Sequence, residues 1–315
     1  MDTDLVAAKL GLPELPDPPL PPWPGETVEL AGRDTFVRSA GTPGGEPAVF
    51  VHGLGGASTN WTDLMALLAP TVEARAPDLP GFGRSSPPAD GRYPLDLHVA
   101  TVVALIERWG AGPVHLFGNS LGGAVSTRLA AERPDLVRTL TLVSPALPDL
   151  RPRRGLDPRL PLVFLPGLGG LVQRRMSGRP AQTRAQATID LCYFDPSLVH
   201  PQRLREATAE VTRRTGLAHS DTALVRSLRG LVAAQVERGP KSLWRQAACV
   251  VAPVLLVWGR HDRLVDVRVA PRAARVFRDA ELLVLDDAGH VAQLEDPVAV
   301  ATAWLQRRAA LAARS

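Results

Sequence analysis

The stretch Gly-Asn-Ser-Leu-Gly at residues 118–122 decides the fold of this chain. The apolar run at residues 114–117 precedes it, and a helix-like run at residues 123–131 follows it. A serine between glycines at a strand-to-helix turn is the pattern of a nucleophile elbow, whose tightness admits only small residues two places before and after the serine. The turn holds the Ser120 hydroxyl clear of the backbone at a helix N-terminus, where amide dipoles favour the negative charge of an acyl-transfer transition state. Ser120 is therefore predicted to be a nucleophile.

A serine nucleophile needs a base and an acid, and the chain supplies both downstream, in the order acid, then histidine. Asp262 follows the strand-like run at residues 253–258, and His290 follows the run at residues 281–285. Each lies just past the carboxyl end of a predicted strand, where open parallel sheets place their sites. The imidazole would accept the serine proton, and the carboxylate would fix the tautomer and stabilise the imidazolium. We predict a catalytic triad of Ser120, Asp262 and His290.

Other ionisable residues offer alternatives for these roles. Asp149, past the strand that follows the elbow helix, is the second candidate for the acid, whereas Asp266 and Asp287 are expected to be surface or capping residues. The remaining histidines are expected to have structural roles; they are His52, His98, His115, His200, His219 and His261.

With these residues in place, the chain resembles the α/β-hydrolase superfamily. Residues 48–56, which contain the pair His52-Gly53, are similar to the family's strand that ends in His-Gly. Residues 78–85 are similar to the loop after the next strand, and residues 289–297 are similar to the histidine loop. Together these motifs cover the chain from about residue 27 to 310, apart from one insertion.

The resemblance implies roles for residues beside the nucleophile. The backbone amides of Leu54 and Leu121 would donate to the oxyanion. His52 would orient the first of these loops and would not act as a base. Supporting positions are expected in both loops, at Gly53, Gly118, Asn119 and Gly122. Hydrolases of this kind act without a cofactor or a metal, and we expect neither here.

Alternating strand-like and helix-like runs predict an α/β fold, with a mostly parallel sheet of eight strands and helices on both faces. The first two strands, which are joined directly, would form an antiparallel edge. Strands are expected near residues 27–30, 34–38, 47–52, 71–76, 113–118, 138–143, 252–258 and 281–285. Helices are expected at residues 61–69, 95–109, 122–132, 269–277 and 298–312, among others.

Three regions are predicted along the chain. Residues 1–26 form an N-terminal arm that lies on the domain. Its residues 11–25 are proline-rich, and these prolines exclude helix and central strand there; a proline-rich motif for a partner is the alternative. Residues 27–145 and 249–315 form the α/β-hydrolase core. Residues 146–248 lack comparable strand-like runs and are expected to form a helical cap, which the resemblance assigns to substrate selection.

The predicted cap differs from the rest of the chain in charge, with a balance of +9 against −5 for the remainder. This asymmetry would attract anionic substrates or an anionic membrane surface. The alternative is that arginine, which supplies 34 of the 36 basic residues, is the ordinary surface cation here. Residues 161–172, just before Arg174 and Arg175, are the most apolar part of the cap. These residues have three possible roles: the wall of a pocket for the acyl chain, a shallow anchor at a membrane surface, or the apolar core of the cap itself.

Composition bounds the remaining function classes. The first residues lack a basic segment followed by an apolar run, so no signal peptide is expected. No stretch reaches the roughly 20 apolar residues of a membrane span, and Cys192 and Cys249 form no metal or redox pattern. Basic residues are not interleaved with aromatic ones, which argues against nucleic-acid binding. We expect a cytoplasmic protein with a small-molecule substrate and at most weak membrane contact through the cap; the sequence leaves its oligomeric state open.

The expected function is that of a serine hydrolase that cleaves a carboxylic ester of a fairly hydrophobic acyl group through an acyl-enzyme. One alternative is a carbon–carbon bond hydrolase of dienol acids from aromatic ring fission, which the elbow and the pair Asn60-Trp61 resemble. The chain departs from that group at residues 54–56, which lack a Gly-Pro-Gly extension, and at Val291 and Leu294, where that group tends to carry tryptophans. The other alternative is a superfamily member that binds a ligand without turning it over.

Overall fold

The computed structural model describes residues 3–149 and 178–314, and within them a single sheet of eight strands is present. The strands are β1 (Gly25–Leu30), β2 (Arg33–Gly41), β3 (Glu46–Val51), β4 (Val72–Pro77), β5 (Val114–Asn119), β6 (Val137–Val143), β7 (Val254–Gly259) and β8 (Ala280–Leu285). Their order is β1-β2-β4-β3-β5-β6-β7-β8, with β2 antiparallel to both of its neighbours and every further pair parallel. The predicted α/β fold, with its mostly parallel sheet and antiparallel edge, is confirmed.

The described residues contain eleven α-helices, most of which lie between strands. They are α1 (Thr3–Lys9), α2 (Thr62–Leu68), α3 (Leu95–Trp109), α4 (Leu121–Glu132), α5 (Ala181–Cys192), α6 (Pro201–Thr215), α7 (Ser220–Val236), α8 (Leu243–Cys249), α9 (Ala270–Val276), α10 (Ala292–Glu295) and α11 (Pro297–Ala312). The five helical runs expected in the core correspond to α2, α3, α4, α9 and α11. The short helix α1 was not predicted; it packs against α11, and helices of this length depend on such tertiary contacts.

Two apolar layers cover the sheet because successive residues of a buried strand point to opposite faces. In β3, Val49 and Val51 belong to one cluster, which includes residues of α3, α4, α8 and α9. Ala48 and Phe50 belong to the other, which includes residues of α2 and α11. The helices therefore lie on both faces, as expected for a parallel sheet.

In the region between β6 and β7 the structure describes residues 144–149 and 178–253, and the second of these segments contains α5 to α8. α5 and α6 pack on each other, whereas α8 packs on α4 and supplies Leu243 and Ala247 to the apolar core. The boundaries of the cap stay a prediction. The apolar run at residues 161–172, together with Arg174 and Arg175, lies outside the described residues.

The proline-rich segment before β1 lies between the core and the first turn of α6. The Trp23 Nε1–H donates to the Thr62 carbonyl oxygen at 3.0 Å. On the other side, the Arg203 Nη1–H donates to the Leu20 carbonyl oxygen at 2.9 Å. The segment thus bridges α2 and α6, and β1 begins at Gly25, directly after the last proline.

Candidate active site

Ser120 stands at the tight turn between β5 and α4. Its φ of 54° and ψ of −114° form a combination that residues other than glycine rarely adopt, and such a backbone costs about 1–3 kcal/mol that the surrounding structure must offset. Its N–H donates to the Val143 carbonyl oxygen at 3.1 Å, and its own carbonyl oxygen accepts from the N–H groups of Ala124 (3.1 Å) and Ala146 (2.9 Å). Contacts from β6, α4 and the segment after β6 therefore hold the serine in this conformation.

The glycines around Ser120 are required by close approach of the backbone. A β-carbon at Gly118 would lie 2.5 Å from the carbonyl oxygen of Gly122, and one at Gly122 would lie 2.1 Å from the carbonyl oxygen of Val51. Both distances are far inside van der Waals contact. Only glycine lets the start of α4 pack this closely on β3 and β5.

His290 and Asp262 form a hydrogen bond between two neighbouring loops. The His290 Nδ1 lies 2.9 Å from the Asp262 Oδ2. The Asp262 side chain is 0 % exposed, and its Oδ1 accepts the backbone N–H groups of Leu264 (2.7 Å) and Val265 (2.8 Å). Because an ionised carboxylate only accepts hydrogen bonds, it selects the tautomer with its proton on Nδ1 and leaves Nε2 as the basic nitrogen.

Asn119 connects the elbow to the histidine loop. Its Nδ2 donates to the carbonyl oxygens of Val143 and His290, both at 3.1 Å. Ser120 is the next residue, so this amide sets the spacing between the serine turn and His290. Because β5 to β8 lie side by side and parallel, Ser120, Asp262 and His290 all follow strands at the same edge of the sheet.

The loop after β3 lies against the serine turn. A β-carbon at Gly53 would lie 3.2 Å from the Ser120 Cβ. The Gly53 carbonyl oxygen is held by the His52 Nδ1 at 2.7 Å and by the Gly56 N–H at 3.1 Å. Since the C=O and N–H of a trans peptide point in opposite directions, holding this carbonyl also fixes the direction of the Leu54 N–H.

His52 serves this loop as a neutral ring. Its Nε2 accepts the Leu79 N–H at 2.9 Å, so the ring proton is on Nδ1 and is donated to the Gly53 carbonyl oxygen. Burial lowers the pKa of His52, and the nearby carboxylate of Asp78 opposes this in part. With both ring nitrogens engaged, His52 positions the segment of residues 53–56, which we call the 53–56 loop.

Leu121 is the first residue of α4, and Ser120 is the N-cap of that helix. The first N–H groups of a helix have no acceptor within the helix and form the positive end of its dipole. The amides of Leu54 and Leu121 thus belong to two segments that both adjoin Ser120. These are the segments in which the resemblance placed the oxyanion donors.

The alternative carboxylates have other roles in the structure. The Asp149 Oδ2 lies 2.8 Å from the Arg268 Nη2 in an ion pair. Asp266 caps the turn that begins after it, where its Oδ1 accepts the Arg268 N–H at 3.0 Å. Asp287 is exposed. The carboxylate that contacts His290 is that of Asp262.

The other histidines occupy structural positions. His115 in β5 lies 2.7 Å from the Thr139 Oγ1 and 2.9 Å from the Glu46 Oε2, and burial lowers its pKa to about 4. His98 in α3 is fully buried, which lowers its pKa to about 3. The remaining three precede a helix or follow a strand: His200, His219 and His261.

Glu295 is a residue of this region that the sequence reasoning missed. Its Oε1 accepts the Gly289 N–H at 2.8 Å, and its Oε2 accepts the Phe194 N–H at 2.7 Å. One carboxylate therefore joins the loop that carries His290 to the segment after α5. Burial raises the pKa of Glu295. The signal in the sequence was an acidic residue five places after His290, but nothing local indicates that Phe194 lies beside it.

Cys192, the last residue of α5, also holds the histidine loop, through its backbone. Its carbonyl oxygen accepts the His290 N–H at 2.7 Å. A β-carbon at Gly289 would lie 2.5 Å from the same oxygen, so glycine is needed there. Burial raises the pKa of the Cys192 thiol to about 12, which keeps the thiol protonated at neutral pH.

Two further properties concern metals and membranes. Within residues 3–149 and 178–314, no group of three or more His, Cys, Asp or Glu residues is placed to hold a metal ion. In the same part of the chain, no helix combines the length and the apolar character needed to cross a bilayer.

Comparison with known sequences places this geometry in a family. The sequence model of the alpha/beta hydrolase fold matches residues 47–297, which include Ser120, Asp262 and His290. The chain belongs to the α/β-hydrolase family. The matched range begins within β3 and ends at the start of α11, so it contains all the parallel strands of this α/β-hydrolase.

Known relatives of this α/β-hydrolase carry different names. The dihydrolipoyllysine-residue acetyltransferase component of the acetoin cleaving system of Pseudomonas putida is 33 % identical over 270 residues, which cover 86 % of this chain and 65 % of that protein. The 2-hydroxymuconate semialdehyde hydrolase of Pseudomonas sp. strain CF600 is 28 % identical over 282 residues, or 86 % of this chain and 89 % of that protein. Lipase 1 of Psychrobacter immobilis is 26 % identical over 273 residues, or 86 % of this chain and 79 % of that protein. The chain thus spans slightly less than two thirds of the first relative and most of the other two.

Proposed function

We propose that the protein is a serine hydrolase that cleaves a carboxylic ester of a fairly hydrophobic acyl group through an acyl-enzyme. The observation that carries the proposal is the 2.9 Å hydrogen bond between the His290 Nδ1 and the buried Asp262 carboxylate, in a loop tied to the serine turn by Asn119. A serine nucleophile requires a histidine oriented in this way. The similarity to Lipase 1 of Psychrobacter immobilis supports an ester as the substrate.

In the proposed reaction, the Ser120 Oγ attacks the carbonyl carbon of the ester and passes its proton to the His290 Nε2. Asp262 stabilises the imidazolium, and the amides of Leu54 and Leu121 donate to the oxyanion. His290 then gives its proton to the departing alcohol, which leaves the acyl group on Ser120. Water, deprotonated by His290, attacks this acyl-enzyme and releases the carboxylic acid and free Ser120.

Apolar residues of α7 that contact loops of the active-site region support a hydrophobic acyl group. A β-carbon at Gly55 would lie 3.3 Å from the Leu224 Cδ1, and one at Gly81 would lie 2.9 Å from the Ala223 Cβ. Apolar side chains therefore cover two loops at the same edge of the sheet as the serine turn. In the proposal, residues 146–248 form the cap that selects the acyl group.

Hydrolysis of p-nitrophenyl esters from acetyl to palmitoyl tests the nucleophile and the acyl preference together. We expect activity that peaks at medium or long chains and that falls at least about 10³-fold in Ser120→Ala. Ser126→Ala, which changes a buried serine on the same helix α4, is the matched control and should retain activity. Substantial activity in a folded Ser120→Ala protein would contradict the proposal.

A second candidate is hydrolysis of a carbon–carbon bond in a dienol acid. The similarity to the 2-hydroxymuconate semialdehyde hydrolase, which extends over 89 % of that protein, favours it. The consumption of a dienol acid can be followed by its absorbance. If the protein consumes this acid only when Ser120 is present, and hydrolyses none of the p-nitrophenyl esters, the carbon–carbon reaction replaces the ester proposal. A protein inert toward both substrate classes, and unlabelled by a serine-directed fluorophosphonate, would instead be a ligand-binding member of the family.

A further inference from the structure

Two neighbouring arginines at the end of α6 reach from this helix to glycine carbonyls in two different loops of the core. The Arg214 Nη1–H donates to the Gly55 carbonyl oxygen at 2.6 Å. The Arg213 Nη2–H donates to the Gly83 carbonyl oxygen. Both guanidinium groups also pair with Glu210 one turn earlier on α6, Arg213 at 2.7 Å and Arg214 at 3.5 Å. The two side chains make equivalent contacts but differ in the loop that they hold.

Gly55 belongs to the 53–56 loop and directly follows Leu54, the proposed oxyanion donor. Its φ of +73° is in the left-handed region that glycine adopts freely. On its outer side, Leu224 of α7 lies within contact distance of a β-carbon placed at Gly55. The outer side of the loop is therefore held by α6 and α7, and the inner side by the hydrogen bonds that His52 makes.

The Leu54 peptide lies between these two attachments. On the core side, the Gly53 carbonyl is fixed by the His52 Nδ1 and the Gly56 N–H. On the other side, the Gly55 carbonyl is fixed by Arg214. Glycines flank Leu54 in the sequence, so the segment has little intrinsic stiffness. An oxyanion donor must hold its position within about 0.5 Å. The first attachment sets the direction of the Leu54 N–H, and the second holds the part of the loop that follows it.

Burying the charged side chain of Arg214 costs free energy unless its guanidinium group forms hydrogen bonds. Its side chain is 23 % exposed, against 30 % for Arg213. Burial lowers the pKa of Arg214, and the carboxylate of Glu210 opposes this in part. A guanidinium taken out of water needs hydrogen-bond acceptors in return. The Gly55 carbonyl is the acceptor that the core supplies.

We propose that Arg214 is a positioning residue that holds the Leu54 amide in the oxyanion hole, so that α6 contributes to the geometry of a site whose reacting groups lie in the core. This inference rests on the proposed serine hydrolase function. It predicts that Arg214 affects the chemical step and not the binding of the acyl group. Arg213, which holds Gly83, has no such effect.

The rate of phosphonylation by an alkyl fluorophosphonate measures this directly and requires no knowledge of the natural substrate. The Ser120 Oγ attacks phosphorus, its proton passes to His290, and fluoride leaves, while the phosphoryl oxygen takes the oxyanion position. The affinity of the initial complex and the rate constant of labelling are measured for four proteins: wild type, Arg214→Met, Arg214→Lys and Arg213→Met. Ser120→Ala gives the background, and thermal midpoints report on folding.

In Arg214→Met, we expect labelling to slow by about tenfold while the affinity of the initial complex stays within about twofold. Arg214→Lys, which keeps one donor, should recover part of the rate, and Arg213→Met should label like the wild type. Equal rates for Arg214→Met and Arg213→Met, or a loss confined to affinity, would overturn the inference while leaving the hydrolase proposal intact. A wild type that is not labelled at Ser120 would overturn both. If Arg214→Met does not fold, the labelling rates of Arg214→Lys and Arg213→Met are compared instead, and a slower rate for Arg214→Lys supports the inference.

Discussion

Helices α4 and α6 both adjoin loops of the active-site region, but they are held by different forces. In α4, ten of the twelve residues are buried. In α6, Val211 is the buried residue among fifteen. α6 is attached instead through guanidinium groups: Arg203 donates to the Leu20 carbonyl and pairs with Asp63, and Arg213 and Arg214 donate to glycine carbonyls. One helix is held by apolar burial and the other by charged hydrogen bonds of partly buried side chains.

This difference between α4 and α6 indicates which part of the protein is rigid and which part can move. Burial of apolar surface stabilises by about 25 cal/mol per Å², and it couples α4 to the unfolding of the whole sheet. A few charged contacts of partly buried side chains contribute less in total than the burial of a whole apolar helix, and salt weakens those that water reaches. We therefore expect the serine turn to stay fixed until the sheet unfolds, and α6 to detach with a smaller free energy.

The largest expected effect concerns the acid on the rigid side. Asp262→Asn should lower kcat about 10³–10⁴-fold with the fold retained, because an amide that donates to the His290 Nδ1 stabilises the wrong tautomer. Circular dichroism and ester hydrolysis measure the two properties. Asp149→Asn, the matched change in the other candidate acid, should keep most of the activity. If Asp149→Asn abolished activity and Asp262→Asn retained it, Asp149 would be the acid of the triad.

The second effect concerns the stability of α4. Arg128, whose side chain is 1 % exposed, binds Asp96 at 2.5 Å, Glu237 and the Lys241 carbonyl oxygen at 3.0 Å. Arg128→Met should lower the free energy of unfolding in urea by about 2–4 kcal/mol, since a buried ion pair loses one partner. The loss should stay below the largest values for such pairs because Asp96 keeps its contact with Lys241 at 2.7 Å.

Arg133 provides the control for that experiment. It lies just after α4 and pairs with Glu107 at 2.6 Å and Asp135 at 2.7 Å on the exposed surface. Arg133→Met should leave the urea midpoint unchanged, because water replaces its contacts. Equal destabilisation by the two substitutions would show that burial does not distinguish them.

The smallest effect concerns α6. Arg203→Met removes a side chain that joins Asp63 of α2, Glu206 and the Leu20 carbonyl oxygen. We expect limited proteolysis between residues 178 and 249 to become several times faster, while the free energy of global unfolding changes by less than about 1 kcal/mol. Arg205→Met, on the exposed side of the same helix, should change neither quantity. A global loss as large as that of Arg128→Met would remove the distinction between the two helices.

Much of this architecture could be predicted from local patterns. The central strands β3, β5 and β7 were identifiable because each is a short apolar run followed by a turn, and the elbow was identifiable because only small residues fit around Ser120. The roles of Glu295 and Arg128 could not be predicted in this way. Glu295 binds the Phe194 N–H, 101 residues away, and Arg128 binds Glu237, 109 residues away. No short pattern contains both members of such a pair.

The sequence by itself determined the kind and order of the strands and of the helices that cover them in the core, and it indicated that Ser120, Asp262 and His290 follow strands. Periodicity and turn chemistry are local properties of the chain, so they can be seen without coordinates. Only the tertiary structure decided that the Cys192 carbonyl holds the His290 loop and that Arg214 holds the 53–56 loop. Those contacts join segments far apart in the chain, and their distances result from the packing of all the helices against the sheet.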